Sequence, residues 1–525
     1  MPRGTIAFVL HAHLPFVRHP AHEDFLEERW LAEAITETYI PLLELLDALD
    51  RDGVAARFTI SLSPPLLGML ADRLLRARYL RHLDRLVELA EKEERRTRTD
   101  PRFHRVAEMY LARFYRARTV FLDEWQQDIV AAFRGYQERG LVDVITCAAT
   151  HGFLPLLGVT PGAVRAQIEV AVAEYRRFFG RGPDGFWLPE CAYEPGLDVE
   201  LARVGVRWFV VDTHGVAHAT PRPVYGVYAP IACESGVAAF GRDPDGAKQV
   251  WSAEEGYPGD FWYRDFYRDI GFDLDYDYVR PYLPPTGGRL HTGLKYHRIT
   301  GKTDAKEPYD PERARERVEA HAAHFVEARV RQVEWLARSM DRPPIVVCPY
   351  DAELFGHWWF EGPAWLDLVL RRLAASPVVA PGTPGDDLAR HPTVQRATPA
   401  ASSWGWKGYN EIWLAGQNDW IYRHLHAAGD RLHGLCLRYP SADERTRRAL
   451  TQALRELFLA QASDWAFMMA RETTAEYAMR RTTDHLLRCA ELCSQVEQGA
   501  IDDLRLGAIE DTDNLFPTLD YRTLV

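Results

Sequence analysis

The sequence predicts an α/β protein built around a parallel β/α barrel and flanked by two helical regions. Three observations carry this. Short apolar runs of strand length alternate with helical periodicity through much of the chain. Several of those runs end in a histidine or a carboxylate, as strands do where they open onto the mouth of a barrel. Between the second and third runs, and again after Pro384, the alternation gives way to helical periodicity alone.

Taken in order, residues 5–10 are continuously apolar, the pattern of a strand buried on both faces, and the run ends in His11-Ala12-His13-Leu14-Pro15. An amphipathic helix over 30–49 and a strand over 55–62 follow. From 65 to 140 the chain is rich in Arg, Leu, Glu and Ala at helical spacing, which predicts a helical insertion between two barrel strands; the charged run 91–98 reads as a solvated helix end. A strand over 141–147 leads into Ala148-Ala149-Thr150-His151-Gly152, and a helix covers 161–179. The run 185–188 delivers Glu190 through Pro189, a helix covers 198–204, and the strand 208–211 ends in Asp212-Thr213-His214-Gly215. Residues 221–228, rich in Pro, Gly and Tyr, read as a mobile surface loop.

A short strand over 237–241 precedes Arg242. The long stretch 251–296 has no regular pattern but many aromatics, which points to function rather than disorder. A helix over 310–340 leads to the strand 345–348 and the segment Pro349-Tyr350-Asp351-Ala352-Glu353. A helix over 363–373 and a run over 378–380 complete the alternation. Glycine and tryptophan then cluster over 403–420, helical periodicity runs from 421 to 496, and the tail 502–525 is polar and aromatic without clear pattern. The predicted units are a barrel of residues 1–64 and 141–384, an insertion of 65–140, and a C-terminal helical domain of 385–525 that contributes to a substrate groove.

Composition narrows the function. A chain of 525 residues with 47% hydrophobic content supports a large core. A net charge of -12 argues against a nucleic-acid backbone as partner and suits a neutral substrate. The seven scattered cysteines fit a reducing compartment, with Cys489 and Cys493 on one helix face rather than in a zinc knuckle. The first apolar run is too short for a signal segment and no run reaches membrane-spanning length, so a soluble, cytoplasmic protein is predicted.

The groups that follow the strands are His11, His13, His151, Glu190, Asp212 with His214, Arg242, and Asp351 with Glu353. As helix caps they would be independent of one another; at the C-terminal ends of barrel strands they share one mouth. Two carboxylates there suit glycoside cleavage, one attacking the sugar carbon and the other protonating the leaving oxygen. The alternative is a metal: His11 and His13 share one side of a strand, and Asp212 or Asp351 would complete a divalent site of the kind found in polysaccharide deacetylases. Sugar rings pack on aromatic faces. Trp251, Tyr257 and Trp262 in the irregular stretch, and Trp404, Trp406, Trp413 and Trp420 beyond the barrel, are candidates to line a groove for an extended glycan.

Five motifs in order extend the reading. His11-Ala12-His13-Leu14-Pro15, Ala149-Thr150-His151-Gly152, Trp187-Leu188-Pro189-Glu190, the segment from Tyr350 to Trp359, and Ser402-Ser403-Trp404-Gly405 together resemble glycoside hydrolase family 57, and within it the α-1,4-glucan branching enzymes and their amylase-like relatives. The resemblance implies a distorted TIM-like (β/α)7 barrel with a helical insertion and a C-terminal α-helical domain. It implies that Glu190 is the nucleophile of a retaining mechanism and Asp351 the general acid and base. His11, His13 and His151 would bind the sugar at the cleaved bond, with no metal or cofactor. Arg242, Gly259, Trp404 and Asp464 would contact glucan, Trp251 would serve the acceptor, and Tyr225 would shield the intermediate from water. One departure stands out: Thr473 occupies a position where some family members carry a glutamine that contacts substrate. The implied substrate is an α-1,4-glucan as both donor and acceptor. Branching, 4-α-glucan transfer and hydrolysis share this chemistry, and the residues alone leave the three open.

Overall fold

Seven parallel strands close into a barrel in the computed structural model, which describes residues 2–252, 255–283 and 288–525. In chain order the strands are β1 (Gly4–Ala12), β2 (Phe58–Leu62), β3 (Val142–Cys147), β4 (Gly185–Trp187), β5 (Trp208–Val211), β6 (Ile231–Ala232), β7 (Ala238–Gly241), β8 (Ile345–Asp351), β9 (Val379–Pro381) and β10 (Gln395–Arg396). The ladder β8-β1-β2-β3-β4-β5-β7 is parallel throughout. It closes where Arg242, just past β7, bridges Val347 in the middle of β8, with Asp243 N–H donating to Val347 O at 2.9 Å. β6 lies antiparallel on β7 and carries β10, and β9 pairs with the first residues of β1.

The apolar runs are explained by the two faces they cover. Ala7 and Val9, Ile345 and Val347, and Trp208 and Val210 fill the barrel interior. Their neighbours Phe8, Leu10, Val346 and Cys348 pack outward against helices, as do Phe209 and Val211. The same alternation continues to the strand ends, so His11 and Asp351 point inward at the mouth. They are register partners: His11 pairs with Asp351 on one side and Ser61 on the other.

The chain between β2 and β3 is helical, led by Arg73–Thr97 and Pro101–Thr119. Asp72 caps the first by accepting from Leu75 N–H, and Leu75, Tyr79, Leu83 and Leu86 form its buried stripe. The helix expected over 30–49 is interrupted. Arg29–Ala34 and Ile40–Arg51 flank a π turn, Ile35–Tyr39, which periodicity does not reveal. Gly356 lies against that turn, and a Cβ there would stand 1.8 Å from Glu37 O. The stretch 251–296 contains several short helical turns, with residues 253–254 and 284–287 of it outside the described residues.

The C-terminal helices are Trp420–Arg438, Glu444–Ala460, Ser463–Arg471 and Ala475–Gln498. The tail, in which the sequence shows no clear pattern, forms a further helix, Asp503–Thr512, capped by Asp502. It hides from a periodicity reading because only Leu506 and Ile509 of that helix are buried. Its anchors are Leu515, Phe516, Tyr521 and Leu524, buried in the main core. Among the described residues no helix is long and apolar enough to cross a membrane.

Candidate active site

Glu190 reaches the mouth through a break in its strand. Trp187 faces the barrel interior while Phe186 and Leu188 face out, so a continued strand would turn Glu190 outward. Instead residues Pro189–Cys191 form a tight turn in which Glu190 (φ 61°) and Cys191 (φ 50°) adopt the left-handed conformation. His151 (φ 59°) does the same. Such backbone costs about 1–3 kcal/mol per residue and persists where surrounding contacts enforce it. Here Trp404 N–H donates to Glu190 O at 3.0 Å, and Tyr193 pairs with Ser402. Both carboxylate oxygens are held: Ser463 Oγ donates to Oε1 at 2.9 Å and Trp404 Nε1–H to Oε2 at 2.8 Å. Burial raises the Glu190 pKa, and these two hydrogen bonds oppose the rise by stabilising the anion.

The three histidines stand together beside it. His11 stacks on Trp187 at 4.6 Å, and its Nε2 lies 2.9 Å from His151 Nε2. His13 Nδ1 meets Ser63 Oγ at 2.8 Å, and its Nε2 lies 3.0 and 3.1 Å from the Asp464 oxygens. Burial lowers the pKa of His11 and His151 well below the usual imidazole range. By spacing alone, His13, His151 and Asp464 could hold a metal ion. These atoms are hydrogen-bonded to one another and to their neighbours, however: His13 Nε2 meets Asp464, and the His151 nitrogens meet His11 and Ser463 Oγ, 2.8 Å away. Of the two carboxylates considered as ligands beside His11 and His13, Asp212 turns to Arg242 at 3.5 Å and caps Thr213 N–H.

Asp351 ends β8, and its surroundings contrast with those of Glu190. No side-chain hydrogen bond holds its carboxylate among the described residues. Burial pushes its pKa well above the ordinary carboxylate range, and the nearby Glu353 and Glu190 raise it further, against Arg242. Glu353 accepts from Tyr39 OH at 2.6 Å and His13 N–H at 3.3 Å; burial pushes it up to about 7.

These groups line one open groove of about 1860 Å³. That exceeds the roughly 300–1,000 Å³ of a drug-sized pocket and suits an extended chain. His11, His13, His151, Glu190, Asp351 and Asp464 lie along it, as do Arg242, Trp251, Gly259 and Trp404. Trp251 is 45% exposed and packs edge-to-face on Trp358, 44% exposed, at 6.2 Å; Trp406 is also exposed in the groove.

Two expected site residues are placed differently. Tyr225 does not line the groove: its phenol sits against Asp341, whose carboxylate raises the phenol's pKa. Asp341 lies in the connection that enters β8 at Ile345, the end opposite Asp351, and a seven-residue strand spans about 20 Å. Trp413 borders the groove, yet it is 1% exposed and stacked on Phe153 at 4.6 Å. Its ring supports the backbone at Gly405, where a Cβ would come within 2.5 Å of it. Tyr257 is buried with its hydroxyl on His324, Trp262 carries Arg298 over its ring, and neither Trp420 nor the exposed Thr473 lines the groove.

Sequence reasoning missed Ser463 on Glu190, Tyr39 on Glu353 and Trp358 against Trp251 in the groove. Ser463 precedes Asp464, so the motif was adjacent. Tyr39 lies in the unforeseen π turn, together with Glu37, which pairs with His357 Nδ1 at 2.5 Å.

Paired carboxylates at the mouth of a barrel, one hydrogen-bonded on both oxygens and one bare, in a groove lined with aromatics, define an enzyme that breaks glycosidic bonds. The chain belongs to glycosyl hydrolase family 57, whose model matches residues 7–377. A second model, the C-terminal region of 1,4-alpha-glucan branching enzymes, matches residues 424–524. The chain is 36% identical to the 1,4-alpha-glucan branching enzyme TK1436 of Thermococcus kodakarensis, covering 98% of this chain and 77% of that one. It is similar to the solved α-amylase AmyC of Thermotoga maritima (TM-score 0.94, 46% identity, 99% of each chain covered). It is also similar to the branching enzyme of Pyrococcus horikoshii (TM-score 0.89, 33% identity, 100% of this chain and 97% of that chain).

Proposed function

We propose that this chain is a retaining α-glucan branching enzyme. The observation that carries the reading is the contrast between the two carboxylates: Glu190 is held by two donors as an anion, while Asp351 is buried beside other carboxylates and favours its proton. Glu190 attacks C1 of a glucosyl unit, the C1–O4 bond breaks, and Asp351 passes its proton to the departing oxygen. The product is a glucosyl ester on Glu190. Asp351, now ionised, takes the proton from an acceptor hydroxyl, whose oxygen attacks C1 and releases Glu190. A 6-hydroxyl acceptor gives an α-1,6 branch. His11, His13 and His151 bind the sugar at the cleaved bond; Arg242, Gly259 and Asp464 contact glucan along the groove; Trp404 both holds the nucleophile and edges the groove; Trp251 serves the acceptor side.

Branching is supported by the match of residues 424–524 to the branching-enzyme C-terminal model and by the relative from Thermococcus kodakarensis. The substrate proposed is an α-1,4-glucan, donor and acceptor alike. The barrel of 1–64 and 141–384, the insertion of 65–140 and the region 385–525 act as one scaffold, with Trp404, Ser463 and Asp464 among the C-terminal contributions to the mouth. A cytoplasmic location is in keeping with seven cysteines that are all free and buried. Hydrolysis is the second reading, favoured by the likeness to an α-amylase and by the distance of Tyr225 from the groove. Incubation with amylose followed by debranching and chain-length analysis separates them. New α-1,6 linkages are expected; short linear oligosaccharides alone would make the enzyme an amylase, and redistributed linear chains a 4-α-glucanotransferase.

A further inference from the structure

Ser463 begins the helix Ser463–Arg471, far from the barrel in sequence, yet it is sewn to the end of β3. Its backbone N–H donates to His151 O at 3.0 Å, Ala462 pairs with Gly152, and Gln167 Nε2 reaches Gln461 Oε1 at 3.0 Å. The hydroxyl has one proton and two neighbours, Glu190 Oε1 at 2.9 Å and His151 Nδ1 at 2.8 Å. An ionised carboxylate only accepts, so the hydroxyl proton goes to Glu190 and His151 Nδ1 must donate. A neutral His151 then has a bare Nε2, which accepts from His11 Nε2–H at 2.9 Å. That leaves His11 Nδ1 without a proton, and this is the buried nitrogen with no partner. One orientation satisfies every link: His11 to His151 to Ser463 to Glu190.

We infer that Ser463 is a positioning residue for the nucleophile, its hydroxyl aimed at Glu190 Oε1 by the His11–His151 pair and its backbone fixed independently by His151 O. While Glu190 is ionised, this orientation keeps the Ser463 proton directed at Oε1. The C-terminal helices thereby help set the reactivity of a residue on the barrel. The inference rests on Glu190 being the nucleophile. The charged or titratable groups that face Glu190 include Asp464, which raises its pKa, His13, which lowers it, His151 at 3.9 Å, Asp351, and the buried thiols of Cys147 and Cys191. The Trp404 hydrogen bond remains when Ser463 is changed.

The test compares Ser463→Ala and Ser463→Thr in the full chain on amylose across pH, with thermal unfolding as a check on folding. Losing a hydrogen bond to a charged group is expected to lower kcat about 10- to 100-fold, with KM within about twofold. Glu190 loses a stabilising donor, its pKa rises, and the acid limb of the kcat/KM profile moves to higher pH. Threonine, which keeps the hydroxyl, restores both. Should Ser463→Ala not fold, Ser463→Cys, with a thiol as weak donor, reads the same loss. A wild-type rate and pH profile in Ser463→Ala or Ser463→Cys, or a loss that threonine does not restore, overturns the inference. Glu190→Gln is run in parallel. An active Glu190→Gln enzyme would remove the proposed mechanism itself, whereas an inactive one beside a normal Ser463→Ala removes only the role of Ser463.

Discussion

The nucleophile side and the acid side of the mouth are built on strands of the same barrel but from different parts of the chain. Glu190 is held by groups from beyond the barrel, Trp404 and Ser463, and by a left-handed turn that its own strand does not favour. Asp351 simply continues the inward alternation of β8 and has no side-chain donor among the described residues; the negative Glu353 and Glu190 beside it outweigh Arg242. Glu353 in turn is fixed by Tyr39 of the π turn. The difference teaches how one fold obtains two roles from two similar groups. Donors stabilise one carboxylate as an anion, and like charge and burial keep the proton on the other.

The largest expected effect follows directly. Asp351→Asn lowers turnover of glucan by about 10²–10⁴-fold, the range of general acid–base catalysis. It spares the first step for an α-glucosyl fluoride, whose leaving group needs no proton, so a burst of fluoride is expected. Glu190→Gln gives no burst. Equal behaviour of the two variants on the fluoride would erase the distinction between the two sides.

A smaller effect is expected at Glu353. Its charge raises the Asp351 pKa, and it is ionised above about pH 7. Glu353→Gln removes that charge, Asp351 gives up its proton at lower pH, and the alkaline limb of kcat/KM moves down in pH while the acid limb stays. An unmoved alkaline limb would mean that Glu353 does not tune the acid.

The smallest effect is expected from Tyr225→Ala. With its phenol on Asp341, near the far end of β8, the residue takes no part at the mouth. The ratio of transfer to hydrolysis on amylose should stay within about twofold of wild type. A large rise in hydrolysis would bring the Tyr225 loop back to the active site.

Legibility in the sequence follows the same division. Everything that strand alternation carries was readable: the apolar runs of β1 and β8, the inward placement of His11 and Asp351, and the clustering of polar groups at strand ends. Glu190 was found by its position after Trp187-Leu188-Pro189, not by its geometry, because the turn that aims it depends on Trp404 and Ser402 more than 200 residues away. Ser463 and Tyr39 were invisible for the same reason, since spacing along the chain says nothing of contacts between distant segments. Tyr225 misled because the connection between β5 and β6 can face either end of a barrel. Trp413 misled because a tryptophan in a glycine-rich segment reads as exposed; only the Cβ-less backbone at Gly405 lets its ring close in as core.

Trapping the intermediate tests the central claim most directly. The enzyme is incubated with a fluorinated α-glucosyl fluoride that forms the glucosyl ester quickly and releases it slowly, then digested and weighed by mass spectrometry. The account predicts one added fluoroglucosyl unit on the peptide that contains Glu190, and none in Glu190→Gln. A label on the Asp351 peptide, or turnover with inversion at C1 and no label at all, would contradict it.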